Sequence, residues 1–211
     1  MILLSRMRYL SSVAVMLFAL PAIAADQPVI PDDKFIYCTV CHGVQVGGNR
    51  VIAAPRLSDL PAWYVERQLQ GFKKGWRGVH EDDAGGHEMR PMAAILTDAE
   101  IVEAAQYVDA VDSSLPEVTV DGNPERGKSL YGSCIACHGV NGEGSETLFS
   151  PALAGLNDWY VVSQLARFKA GIRGNHADDT YGQQMRAAAG LLPDEQAIRD
   201  IARYISTLSN P

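Results

Sequence analysis

The stretch C-T-V-C-H at residues 38–42 recurs as C-I-A-C-H at 134–138, and all four cysteines of the chain lie in these two pentapeptides. Four chemistries use cysteines at this spacing. Exported proteins cross-link them as disulfides. Zinc ribbons pair two C-x-x-C knuckles, and thioredoxin-like enzymes place one in a βαβ setting that the pattern here lacks. In the fourth, both thiols form thioethers to a haem edge and the next histidine binds the iron. His42 and His138, directly after each pair, decide among them. Zinc does not require a histidine at that position, whereas a haem needs an imidazole beside its two anchored vinyl positions. The sequence therefore predicts two haem c groups. Cys38 and Cys41 hold one, Cys134 and Cys137 the other, and His42 and His138 are the axial ligands.

The pentapeptides belong to a longer repeat. Pro55 and Leu57 return 96 residues later as Pro151 and Leu153. W-Y-V-x-x-Q-L-x-x-F-K-x-G-x-R-G-x-H-x-D-D begins at Trp63 and again at Trp159, and Met89-Arg90 matches Met185-Arg186. One extra residue then enters the second copy, so that Tyr107 matches Tyr204. Two homologous units follow, 30–113 and 123–211, joined by an extended linker at 114–122. Each is too small to bury a large core unaided, and a haem would supply the missing apolar centre.

The repeat also selects the sixth iron ligand. In H-E-M-R-P-M at 87–92, either methionine could serve, but Met89 aligns with Met185 whereas Met92 aligns with Ala188. If both irons are held alike, Met89 and Met185 are the ligands and Met92 is packing. Histidine–methionine ligation raises the reduction potential and suits electron transfer. His80 and His176, in the R-G-x-H-x-D-D segments, are expected to organise their loops, bind a propionate or replace the methionine. His87, opposite Gln183, is expected at the surface.

An axial histidine is usually oriented through its other ring nitrogen. The carbonyls of Pro55 and Pro151, each thirteen residues beyond its histidine, are candidates, against the alternative of ordinary loop prolines. Arg77 and Arg173 are candidate haem-propionate partners, since guanidinium pairs well with carboxylate; the alternative is a solvated loop charge. Trp63 and Trp159 fit core packing better than an electron relay.

Composition bounds the rest. Hydrophobic residues make up 47% of the 211, so the chain folds, and a net charge of −7 argues against a nucleic-acid partner. Residues 1–24 have the form of a secretory signal: Arg6 and Arg8, an apolar run from Tyr9 to Leu20, and Ala22-Ile23-Ala24 before the expected cleavage. The run is too short for an ordinary membrane span, so none is expected after cleavage; an uncleaved anchor is the alternative. Residues 26–115 carry 8 basic and 14 acidic side chains, and residues 125–211 carry 8 and 9. The imbalance reads either as simple solubility or as two halves facing different partners.

The coarse structure is all-α. Asn123-Pro124 has the form of an N-cap and first helical residue, and that helix is expected to run into Cys134. Helices from Ala62 and Asp158 bury Val65, Leu69 and Phe72, or Val161, Leu165 and Phe168, and end near Gly75 and Gly171. T-D-A-E at 97–100 is a capping box that opens a further helix through Ile101, Ala105 and Val108. Its counterpart uses Ile198, Ile201, Ala202 and Ile205. The remainder is expected as long ordered loops.

With these motifs in place the chain resembles the dihaem cytochrome c4 family over nearly the whole mature sequence. The matching features are C-x-x-C-H, P-x-L, Q-L-x-x-F-K-x-G-x-R and M-R before a final helix, each present twice. The resemblance implies tandem class I cytochrome c domains related by a pseudo-twofold axis, with propionate edges meeting between them. It implies a periplasmic carrier, in some members loosely membrane-associated, that shuttles single electrons between a respiratory donor and a terminal oxidase or reductase. Partners would be an oxidase, a cytochrome bc1-type complex or a dehydrogenase. Two other functions compete: a haem subunit of a larger dehydrogenase or oxidase, and a dihaem enzyme of peroxidase or thiosulfate-oxidising type. An enzyme needs a haem with an open or unusual sixth position, and Met89 and Met185 leave none, so the expectation is a carrier and not an enzyme. The R-G-x-H-x-D-D loop departs from the family pattern.

Overall fold

The structure, a computed structural model, describes residues 35–208. The expected signal at 1–24, the start of the first unit at 30 and the end of the second at 209–211 lie outside the described residues. Within them the chain forms helices α1 (Ile36–His42), α2 (Ala62–Lys73), α3 (Ala84–Ala94) and α4 (Asp98–Asp109) in the first unit, with a 3-10 turn at Arg50–Ile52. The second unit has α5 (Pro124–Tyr131), α6 (Ile135–His138), α7 (Asp158–Lys169), α8 (Thr180–Gly190) and α9 (Glu195–Ile205). Among the described residues the only β-pairing is two isolated bridges at matching places, Asn49 with Ala54 and Ser145 with Ser150. The molecule is two tandem all-α domains.

Local chemistry sets the helix ends. Thr97 Oγ1 accepts from Glu100 N at 3.2 Å while the Glu100 carboxylate accepts from Thr97 N at 2.8 Å, the reciprocal box that opens α4. Asn123 Oδ1 accepts from Glu125 N and Arg126 N and opens α5. The expected continuous helix into Cys134 is not formed. α5 stops at Tyr131, Gly132 caps it, and α6 restarts after Cys134. Glycine is a poor helix former, and the buried Tyr131 is held by its hydroxyl, which donates to Gly139 O at 2.9 Å.

A second difference concerns the methionine segments. They were expected as loops but are the helices α3 and α8. Asp83 and Asp179, the last residues of the R-G-x-H-x-D-D segments, are their N-caps. α3 even carries Pro91 internally, a residue that removes one helical hydrogen bond.

Within each domain α2 packs on α3 and α4, and α7 on α8 and α9. The first core contains Leu60, Val65, Ala105 and Val108; the second contains Tyr131, Val161, Leu192, Ile198, Ile201, Ala202 and Ile205. Each fully buried isoleucine contributes about 2 kcal/mol relative to exposure. Leu156 of the second domain packs on the edge of both clusters, so the two cores adjoin. α5 crosses α9 closely at Gly127, where a Cβ would collide with the Asp200 carbonyl.

The connecting stretch is not loose. Asp158, the first residue of α7, is buried and accepts from Thr119 N at 2.6 Å, Thr119 Oγ1 at 2.7 Å and Val120 N at 2.7 Å. Val120 is buried as well. Ala62 stands in the equivalent place of the first copy, so this latch belongs to the second domain alone.

Candidate metal centres

α1 carries Cys38 and Cys41 one turn apart, a spacing that puts two side chains on one helix face, and ends at His42. α6 and the residue before it repeat the arrangement with Cys134, Cys137 and His138. Both histidines are buried. His42 Nδ1 donates to the Pro55 carbonyl at 2.7 Å, and His138 Nδ1 donates to the Pro151 carbonyl at 2.8 Å. This tautomer leaves each Nε2 with a lone pair. Burial lowers both imidazole pKa values, against a smaller opposing effect of the proline carbonyl. The neutral, metal-binding form is thereby favoured.

The loops that bring proline to histidine are built alike. Gly48 N donates to His42 O, and Gly144 N donates to His138 O, both at 2.9 Å. These glycines have φ of +96° and +77°, and a Cβ on either would strike the backbone of the P-x-L segment. Leu57 N donates to Val46 O, and Leu153 N to Gly142 O, both at 2.7 Å, which closes the turn.

The two methionines stand on the helices that follow the R-G-x-H-x-D-D segments. Met89 and Met185 are half-buried within α3 and α8. In the second domain Met185 Sδ lies 3.5 Å from His138 Nε2, so thioether and imidazole face each other directly. Met92 sits on the outer side of α3 and is 41% exposed, so it does not pack into the protein core. His87 is exposed. His80 Nδ1 accepts from Asp82 N and His176 Nδ1 from Asp178 N, each at 3.2 Å, so both organise their own loops.

The four cysteines are unpaired, and burial raises the thiols of Cys38 and Cys134 above their ordinary pKa. A dithiol redox pair needs the opposite shift. Among the described residues no three His, Cys, Asp or Glu side chains converge as a zinc site would require. Two adjacent thiols and an oriented imidazole in each domain, with an opposed thioether in the second, fit a covalently attached haem.

The Cytochrome c family matches residues 35–112 and 124–209, one match per domain. A cytochrome c4 from Thiocapsa roseopersicina is 31% identical over 82% of this chain and 87% of its own. The chain belongs to the cytochrome c4 family. The solved cytochrome c4 structure from Acidithiobacillus ferrooxidans superposes with a TM-score of 0.66 at 29% identity, covering 81% of this chain and 98% of that one. A thiosulfate dehydrogenase electron acceptor from Stutzerimonas stutzeri (strain A1501) is 29% identical over 94% of each chain. As a member of the cytochrome c4 family the protein carries two haem c groups and transfers electrons.

Arg77 and Arg173 lie where the domains of this cytochrome meet, not in solvated loops. Arg77 Nη1 donates to Gln68 Oε1 at 2.7 Å, and Arg173 Nη1 donates to the equivalent Gln164 Oε1 at 2.7 Å. Arg173 also crosses to the first domain, donating to Gln68 Oε1 at 2.9 Å and reaching Tyr64 Oη at 3.5 Å. Each guanidinium stacks on its own domain's phenylalanine, 4.2 Å from Phe72 and 4.5 Å from Phe168. Among the described residues neither has a carboxylate within ion-pair distance. Burial, and then the like charge of Arg173, lowers the pKa of Arg77, and its Nε is buried without a hydrogen-bond partner.

Several interface residues had escaped the sequence reading. Arg56, 2% exposed, donates to Ser113 Oγ at 3.0 Å, Ser113 O at 2.8 Å, Gly155 O at 3.2 Å and the Asp59 carboxylate. It stands opposite Ala152 in the repeat, as Asp158 stands opposite Ala62. A polar residue present in only one copy was the available signal. No helix among the described residues is long and apolar enough to cross a membrane.

Proposed function

We propose that Cys38 and Cys41, and Cys134 and Cys137, anchor the two haems, with His42 and Met89, and His138 and Met185, as their axial ligands. The observation that carries this is the approach of His138 Nε2 and Met185 Sδ to 3.5 Å, with Nδ1 already committed to Pro151. The same pattern in the first copy extends it to His42 and Met89. Bound haem iron supplies reversible one-electron chemistry. The Pro55 and Pro151 carbonyls orient the imidazoles and raise their basicity. The apolar walls of each domain exclude water. Arg173, buried, and Arg77, half-buried with an unpartnered Nε, have no carboxylate within ion-pair distance among the described residues and are partners for haem propionates. The units are taken as 30–113 and 123–211, with the linker at 114–122.

The protein then acts as a periplasmic shuttle, exported by residues 1–24. It passes single electrons from a respiratory donor such as a dehydrogenase or a cytochrome bc1-type complex to a terminal oxidase or reductase. A dehydrogenase is favoured as donor by the likeness to a thiosulfate dehydrogenase electron acceptor along 94% of both chains. The same likeness keeps a second reading, a haem subunit in stable complex with a dehydrogenase, whose mark would be co-purification with a catalytic chain.

The test is the weak near-infrared methionine-to-iron band of the ferric protein. Met89→Ala and Met185→Ala should each remove about half of it, because two equivalent haems contribute. Met92→Ala should leave it whole. Loss of the band in Met92→Ala, with retention in Met89→Ala, would sink the assignment.

A further inference from the structure

Both copies keep the R-G-x-H-x-D-D segment, and the two are built closely alike. Gly78 and Gly174, at φ of +71° and +73°, lie against the backbone of Gly86 and Gly182, the first turns of α3 and α8. The final aspartates are buried, 4% exposed for Asp83 and 8% for Asp179. Asp83 accepts from Gly86 N and Gly78 N, both at 3.2 Å, and Asp179 accepts from Gly182 N at 3.1 Å. Each aspartate therefore fixes the start of the helix that carries Met89 or Met185.

Each aspartate also meets an arginine of the other domain. Arg167 Nε, on α7, lies 3.3 Å from Asp83 Oδ1, and Arg67 Nη2, on α2, lies 3.5 Å from Asp179 Oδ1. The pairs cross between the domains. They are not copies of one ancestral contact, because Arg67 aligns with Ser163 and Arg167 with Gly71, positions one helical turn apart. Arg67 is further seated over Tyr181 of α8, 4.4 Å from the ring centroid, and Tyr181 stacks on Phe149.

We propose that Asp83 and Asp179 are positioning residues through which each domain steadies the methionine ligand of the other. Arg167 holds the Asp83 carboxylate in its capping pose and so keeps α3 and Met89 in place. Arg67 does the same for Asp179, α8 and Met185. The inference rests on the methionine ligation argued above. An isolated surface ion pair contributes little; here the carboxylate is buried and already serves as a helix cap, so the arginine acts on the ligand-bearing helix and not on bulk stability.

The experiment uses the ferric holoprotein with Met185→His as parent, so that the near-infrared band reports Met89 alone. Imidazole is titrated in until the band is half lost. Adding Arg167→Gln, in the second domain, should lower that imidazole concentration about threefold, the effect expected of losing one partly exposed ion pair. Asp83→Asn, which keeps a capping oxygen but drops the ion pair, should do the same and serves if Arg167→Gln folds poorly. Arg167→Lys should restore at least half of the effect. In the reciprocal parent, Met89→His, Arg67→Gln should loosen Met185 while Arg167→Gln does not. A shift confined to the mutated residue's own domain, an equal shift at both haems, or no shift overturns the proposal. A band missing from the Met185→His parent sinks the methionine assignment and the proposal with it, so the two failures are distinguishable.

Discussion

Arg56 in the first domain donates its backbone N–H to Asn157 Oδ1 in the second at 2.7 Å, although 101 residues separate them. Asn157 is the N-cap residue of α7, but its side chain caps nothing there; it reaches across to Arg56 instead. The Arg56 guanidinium meanwhile ties the P-x-L loop of the first domain to Ser113, the last residue of that domain, and to Gly155 of the second domain. Since Pro55 is the residue whose carbonyl orients His42, one buried arginine joins the histidine loop of the first domain to the frame of the second.

Removing that side chain strands Asp59, the Ser113 carbonyl and the Gly155 carbonyl at once. Leaving a buried hydrogen-bonding group without its partner costs about 1–3 kcal/mol. Arg56→Ala should lose about that much stability in urea denaturation. Because the contact spans both domains, a single unfolding transition should split into two in calorimetry. A loss below about 1 kcal/mol with one transition retained would show that the domains are held elsewhere.

Asp158 supplies a pH-dependent latch. Burial alone would raise its carboxyl pKa, but the hydrogen bonds from Thr119, Val120 and Trp159 outweigh it and hold the pKa below the ordinary 3.8. A folded pKa below the unfolded one stabilises above the unfolded value, and that contribution is lost as pH falls through the folded value. Asp158→Asn should cost about 1–3 kcal/mol at neutral pH, the range for disrupting a hydrogen-bonded buried group. It should also flatten the acid limb, so that wild type and variant converge below pH 3.8. Urea midpoints at neutral and acid pH decide it; a gap that persists or widens in acid contradicts the latch.

Much of this arrangement was legible in the sequence because duplication makes a chain its own alignment. C-x-x-C-H and the prolines thirteen residues on come from comparing one copy with the other, as does the proposed choice of Met89 over Met92. The amphipathic helices α2, α4, α7 and α9 were readable from apolar spacing and caps. The segments A-G-G-H-E-M-R-P and T-Y-G-Q-Q-M-R-A were not, because glycine and proline argue against a helix and no apolar stripe argues for one. Those helices are held by the aspartate caps and by packing on α2 and α7. The interface was illegible for a different reason. Arg67 with Asp179, Arg167 with Asp83 and Arg56 with Asn157 are each brought together by the domain pairing, and periodicity carries no information about that.

α5 and α9 cross where no side chain fits. A methyl group at Gly127 would overlap the Asp200 carbonyl and press on Tyr204 Cβ, and backbone cannot yield as a flexible side chain can. Overpacking of this kind costs about 1–3 kcal/mol, occasionally more. Gly127→Ala should destabilise the second domain by at least that and, because the paired domains unfold together, lower the common midpoint in denaturant, the second domain's haem absorbance included. An unchanged second-domain midpoint would mean that α5 can move away from α9 freely.

The two interface arginines should set the haem potentials. A positive charge nearby favours the reduced, less positive haem, so neutralising one should lower the potential. At an effective dielectric of about 20 and roughly 10 Å, one charge is worth about 1.7 kcal/mol, or some tens of millivolts. Arg173 donates to Gln residues of both domains, whereas Arg77 donates to Gln68 alone among them. Arg173→Gln should therefore lower both potentials, and Arg77→Gln chiefly that of the first domain. Spectroelectrochemical titration of the two variants checks this. Potentials unmoved in both would remove the arginines from the haem environment, and a rise would mean that burial of the propionates, not their charge pairing, governs the site.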